Sequence, residues 1–196
     1  VWQWEWEEGA AEAISTFRVA ADFCEEYEGF IFNHNEALLY RWVEEYEPEL
    51  FERIKALVKK GRWHIMGGWY LQSDCNIPSG ESFVRQILEG HEYFMEKFGV
   101  VPKIANSFDA FGHSRGLVQI LAKSGYKGYL FCRPSGEVRN LPGDRFIWKG
   151  FDGSAIMAQR MPMMYASGLG GAVDKVKGTM GCYPDSELIP CLWGMG

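Results

Sequence analysis

The stretch Lys103-Ile104-Ala105-Asn106-Ser107-Phe108-Asp109-Ala110-Phe111-Gly112-His113-Ser114 decides how this chain is read. Its first half, Lys103 to Phe108, is a short β-leaning run. From Ser114 through Leu117, Ile120 and Leu121 to Gly125 the spacing predicts a helix with a serine N-cap and a glycine just past its end. Asp109 thus stands where a strand stops and the turn into a helix begins, the position at which α/β folds present catalytic groups. The plainer alternative is that Asp109 and Ser114 only organise a βα turn. Against it stands the density of Asn106 to Ser114: an acid, two aromatics, a glycine, an imidazole and the hydroxyl of Ser114, where a turn needs only turn residues.

Outward from this stretch the same alternation repeats. Toward the N-terminus, Ala10, Ile14, Phe17, Ala21, Cys24 and Tyr27 mark an amphipathic helix over Glu8 to Glu28, ended by Gly29. Phe30 to Phe32 reads as a short buried strand closing on Asn33-His34-Asn35. A helix follows from Glu36 to about Tyr46, and Pro48 opens another that ends at Lys59-Lys60-Gly61. Trp63 to Met66 is the next strand, leading into the loop from Gly67 to Asp74. Ser79 caps a long helix through Phe83, Ile87, His91, Phe94 and Phe98, stopped by Gly99. Toward the C-terminus, Lys127 to Cys132 is a strand ending at Arg133-Pro134. A helix between successive strands calls for a parallel sheet with crossover helices. Beyond Pro134, Arg145 to Trp148 and Ala155 to Gln159 look like a hairpin turning at Asp152-Gly153. Met161 to Gly181 is rich in glycine and weakly patterned, and reads as loop.

A chain of 196 residues, 47% of them hydrophobic, suits one domain or most of one. Its net charge of −6 and the absence of a basic stripe argue against nucleic acid as a partner. No apolar run approaches about 18 residues, so no membrane span is expected. Five scattered cysteines without a Cys-x-x-Cys pair fit reduced thiols and a cytoplasmic location better than a disulfide framework. Eight Trp, nine Tyr and thirteen Phe supply core, and rings of the kind that stack on sugars. The chain opens and closes in the middle of patterned runs, so the expectation is a piece of a larger protein.

The nonamer Asn106 to Ser114 resembles the Asp-x-Phe-Gly-His-Ser signature of glycoside hydrolase family 38, the zinc-dependent α-mannosidases. The resemblance implies an α/β fold, a partial seven-stranded β/α barrel with parallel strands and crossover helices, carrying the hairpin in its C-terminal third. It implies that residues 1–196 are an incomplete N-terminal catalytic domain, truncated at both ends. It further implies hydrolysis of terminal α-linked mannose with retention, in which Asp109 is both nucleophile and metal ligand. Trp2 matches an aromatic that packs on the bound sugar, and Phe111 one that borders the sugar site. Arg133 matches a site arginine that steadies the nucleophile. Asp74 resembles an acidic position of the corresponding loop, although Gln72-Ser73-Asp74-Cys75-Asn76 departs from the family's commoner form. Tyr165 falls in the region of a substrate hydroxyl contact.

Retaining glycosidases use two carboxyl groups roughly 5 Å apart, one attacking the anomeric carbon and the other protonating the leaving oxygen. Zinc can hold sugar hydroxyls through carboxylate and imidazole ligands. The resemblance places the remaining zinc ligands and the acid carboxylate outside this chain. The fragment alone is therefore expected to be inactive, and the full-length protein to act on an α-mannoside glycan as a possible homo-oligomer. His113 is expected to brace its loop, and His34 and His64 to be structural. Two other readings stay open: another metal-dependent barrel hydrolase, of polysaccharide deacetylase or family 57 type, and a non-catalytic sugar-binding domain.

Overall fold

The computed structural model describes residues 4–185, 187 and 189–194, and they divide into two compact units. The first comprises Val1–Gln72 with Glu81–Lys103, the second Ser73–Gly80 with Ile104–Gly196.

In the first unit α1 (Trp6–Glu26) leads to β1 (Phe32–Glu36), then α2 (Ala37–Tyr46), α3 (Pro48–Lys59), β2 (Trp63–Trp69) and most of α4 (Gly80–Phe98). The apolar stripe of α1 buries Ala10, Ala13, Phe17, Ala21 and Cys24, the spacing of an amphipathic helix. Pro48 occupies the first turn of α3, where its missing N–H costs no helix bond. The core is aromatic: Phe17 meets Tyr40 at 4.9 Å and Trp63 at 5.2 Å edge-to-face, and the Trp63 indole N–H donates to the Tyr40 hydroxyl at 2.8 Å. Satisfying that N–H is what lets the indole be fully buried.

β1 and β2 pair in parallel, Phe32 opposite Trp63 and Glu36 opposite Trp69. Both strands differ from the sequence expectation. β1 starts where Phe30–Phe32 was expected to finish and runs through the polar residues, because the parallel partner offers ladder bonds that far. β2 continues beyond Met66 through Gly67 and Gly68, at φ 62° and 82°, a conformation only glycine adopts readily. α4 lies close to this segment at Gly90.

In the second unit β3 (Ile104–Ser107), α5 (Gly116–Lys123), β4 (Gly128–Phe131), β5 (Arg145–Lys149), β6 (Ala155–Arg160) and α6 (Ala172–Gly181) follow one another. The sheet order is β3-β4-β6-β5. β3, β4 and β6 are mutually parallel, with Ser107 opposite Phe131 and Phe131 opposite Arg160. β5 is the antiparallel edge, joined to β6 by the expected hairpin, whose turn closes with Gly150 N–H on the Ser154 carbonyl at 2.8 Å. Leu117, Val118 and Leu121 of α5 are buried, and the helix packs against β6.

The structure is mixed α/β with parallel and mixed pairing. The described strands bond as one two-stranded and one four-stranded sheet, so these pairings alone do not trace a ring of seven. Two local expectations are corrected. α5 opens at Gly116 with Arg115 at the N-cap position, while the Ser114 side chain accepts the Gly116 N–H, at 3.2 Å. Residues 161–181 are not all loop: α6 occupies the last ten, burying Lys175 and Thr179 where an apolar stripe would be expected.

Candidate active site

Three parallel strands end side by side, and each is followed by a residue with chemistry. Asp109 stands two residues past the end of β3 and Arg133 two past the end of β4. Because Ser107 and Phe131 are register partners, equal overhangs bring the two side chains together. Arg133 Nε–H donates to Asp109 Oδ1 at 2.8 Å. Tyr165, beyond the end of β6, turns its phenol to the same pair, interacting with both the Asp109 carboxylate and the Arg133 guanidinium. Burial, and then the Asp109 carboxylate beside it, push the Tyr165 hydroxyl above its ordinary pKa, so it remains a protonated donor near neutral pH.

The pair is open to solvent: about a third of each side chain is exposed, 34% for Asp109 and 36% for Arg133. The Asp109 carboxylate is therefore not packed into hydrocarbon. Phe111 is 75% exposed, and the Arg133 guanidinium lies over its ring at 5.0 Å. An exposed phenyl held by a cation on one side offers a flat apolar surface to a ligand.

Behind this front the turn is braced. His113 Nε2 lies 2.7 Å from the Arg133 carbonyl oxygen, which can only accept, so Nε2 carries the proton. Nδ1 is then the acceptor of the Tyr129 hydroxyl at 2.9 Å. Burial lowers the proton affinity of His113, opposed by the Arg133 carbonyl, and keeps the neutral form that this pattern needs. The Cys132 thiol donates to the Phe108 carbonyl, and burial pushes its pKa up to about 11, which makes it a poor nucleophile.

The structure brings together Asp109, Arg133, Phe111 and Tyr165. Asp74 has a different setting: its Oδ1 accepts the backbone N–H groups of Asn76 and Ile77 at 2.7 and 3.2 Å, closing its own turn. Asn76 in turn donates Nδ2–H to the Phe111 carbonyl at 3.5 Å. Trp2 lies outside the described residues. Tyr129, which fixes His113, carries no distinguishing signal in the sequence, being an aromatic inside a strand. Among the described residues no group of three or more His, Cys, Asp or Glu stands together to hold a metal, and Asp109 is the one carboxylate at the site in a position to contribute.

The chain matches the sequence model described as "Glycosyl hydrolases family 38 N-terminal domain" over residues 1–180. It is 34% identical over 164 residues to alpha-mannosidase G of Dictyostelium discoideum, covering 82% of this chain and 15% of that protein. To alpha-mannosidase 2C1 of Mus musculus it is 32% identical over 183 residues, covering 91% of this chain and 17% of that protein. Among solved structures, an alpha-mannosidase from Enterococcus faecalis V583 superposes with a TM-score of 0.84 at 20% identity, covering 98% of this chain and 23% of that one, a likeness of fold. The chain thus spans less than a fifth of the length of these two curated relatives. On the strength of the family match over residues 1–180, this chain belongs to the N-terminal domain of glycosyl hydrolases family 38.

Proposed function

We propose that the protein containing this chain is a retaining α-mannosidase that releases terminal α-linked mannose from a glycan, with Asp109 as its nucleophile. The observation that carries this reading is the Asp109–Arg133 pair at the ends of two register-matched parallel strands, with the exposed Phe111 ring beside it. Family membership favours it over the deacetylase and family 57 readings. The closed β/α barrel expected for the family, and a cytoplasmic location, belong to the same reading. For the location, the support is five cysteines without a disulfide among the described residues.

Each side chain has a role in this proposal. Asp109 attacks the anomeric carbon, forming a glycosyl–aspartate ester as the glycosidic C–O bond breaks. The leaving oxygen takes a proton from an acid carboxyl supplied by the remainder of the protein. Arg133 holds Oδ1 and so aims the carboxylate, which is worth most when the attacking atom is already near its target. Phe111 meets the apolar face of the sugar, and the protonated Tyr165 hydroxyl donates at the same point. Asp74 shapes the rim through Asn76. Zinc, when bound, would polarise the sugar hydroxyls and oppose the charge of the carboxylate. The described residues do not by themselves fit the ion, since Asp109 is one ligand where about three to four are needed.

The test is Asp109→Ala in the full-length protein, with an aryl α-mannoside as substrate. Turnover is expected to fall by roughly 10⁴-fold or more, as when a nucleophile is removed, with the circular dichroism spectrum unchanged. The wild-type reaction should first release the α-anomer, read by NMR. Normal turnover in the variant overturns the assignment of Asp109. Mannose binding without turnover by the wild-type protein would instead favour the non-catalytic reading.

A further inference from the structure

Lys175 is a buried amine that no step above uses. It sits on α6 with 8% of its surface exposed, and among the described residues it forms no ion pair. A buried ammonium without compensation costs several kcal/mol or is driven neutral. Here the compensation comes from oxygen dipoles. Nζ lies 2.8 Å from the Met164 carbonyl, 2.9 Å from Tyr165, 3.0 Å from Ala166 and 2.7 Å from the Ser167 hydroxyl. The Trp193 ring stands 5.8 Å from the same nitrogen.

Three consecutive carbonyls and a hydroxyl turned onto one point is how backbone holds a bare cation. Unfilled, those dipoles would repel one another, and the turn would have no reason to keep its shape. The turn is the one that carries Tyr165, whose phenol reaches Asp109 and Arg133. Its other backbone ties among the described residues are the Ser167 hydroxyl on the Tyr165 carbonyl at 3.0 Å, a contact of the Tyr165 backbone with the Cys132 thiol, and an isolated bridge from Ala166 to Gly194. α6 presents Lys175 because its polar side faces inward; Thr179, one turn on, is also buried and bonds the Lys175 carbonyl at 2.8 Å.

We propose that Lys175 is a positioning residue: its ammonium acts as a tethered cation that shapes the Met164–Ser167 turn and so sets the Tyr165 hydroxyl on Asp109. The proposal rests on the reading of Asp109 above, but its test has an arm that does not.

In the full-length protein, Lys175→Ala leaves a four-oxygen cradle that methylammonium can enter. Amide hydrogen exchange in residues 163–168 is expected to rise about tenfold or more in the variant, with β3 and β4 unchanged, and to fall again when methylammonium is added. With an aryl α-mannoside, kcat is expected to drop between about 10- and 100-fold while KM changes little. Tyr165→Phe added to Lys175→Ala should then cost almost nothing further. Exchange in 163–168 that stays at the wild-type rate overturns the proposal, as does a uniform rise across the whole chain, which would mark Lys175 as a general stabiliser. Full additivity of the two substitutions overturns the link to Tyr165. If Lys175→Ala does not fold, Lys175→Met keeps the aliphatic stem and must show the same local exchange without rescue. A wild-type protein that lacks mannosidase activity would defeat the functional reading, and the exchange experiment would still decide the role of the cation.

Discussion

Arg133 donates to Asp109, lays its guanidinium over Phe111 and, through its own carbonyl, accepts a hydrogen bond from His113 Nε2–H. A lysine in its place would keep the charge and lose the planar fork that does the aiming. Arg133→Lys in the full-length protein is therefore expected to lower kcat about 10- to 100-fold. Because the pair is a third exposed, folding stability should change by no more than about 1 kcal/mol. An unchanged rate with a lowered melting temperature would make Arg133 structural. Asp109 was legible in the sequence from its place between a strand and a helix and from the family signature around it, and Arg133 from the end of its strand together with the same resemblance. Lys175 and Tyr129 were not, since a lysine among glycines and a tyrosine in a strand carry no spacing that distinguishes them from solvent-facing or core residues. Asp74 shows the opposite limit: its loop signals an acid, and the coordinates show the acid spending one oxygen on its own backbone.

Among the elements of the first unit, α4 comes against the β2 backbone at Gly90. A Cβ at Gly90 would lie 2.2 Å from the Gly68 carbonyl oxygen and 2.6 Å from the Trp69 carbonyl carbon. Alanine in a helix gains about 1 kcal/mol over glycine, but the obstacle here is strand backbone, which cannot rotate aside. Gly90→Ala is thus expected to destabilise by about 2 kcal/mol net, seen as a lowered urea midpoint; a raised midpoint would show that helix and strand can separate freely. α1, α2 and α3 were readable because their apolar residues recur every three or four positions. α6 inverts that rule. Its inward residues are Lys175 and Thr179, while Val173, Val176 and Met180 are exposed, so a search for an apolar stripe facing a core returns nothing. β1 was misplaced by a related cause: the apolar run precedes the strand, and the ladder to β2 holds polar residues that no β-propensity favours.

At the scale of the whole molecule, acid stability is where a single buried ring should be felt. His34 is wedged against Phe17 and Tyr40, at 4.8 and 5.7 Å between ring centres, and among the described residues its enclosed Nδ1 has no hydrogen-bond partner. Burial lowers its pKa from 6.5 to about 4. Between those values the unfolded chain binds the proton and the folded chain does not, so stability falls as pH is lowered from 6.5 toward 4 and levels off below, as far as this group is concerned. The slope one such group can add is at most about 1.4 kcal/mol per pH unit. His34→Gln should flatten urea midpoints measured across that range, and identical slopes in the two proteins would dismiss the effect. Composition foretold none of this, because a histidine's burial is settled by which rings surround it. The Gly67, Gly68 and Gly90 junction has a consequence of another kind. Two of these glycines answer to left-handed torsion angles and the third to main-chain atoms, so no neighbouring side chain can shrink to accommodate a change at any of them. A change at any of the three must be absorbed by the main chain itself, so this junction is expected to tolerate less substitution than the surfaces around it.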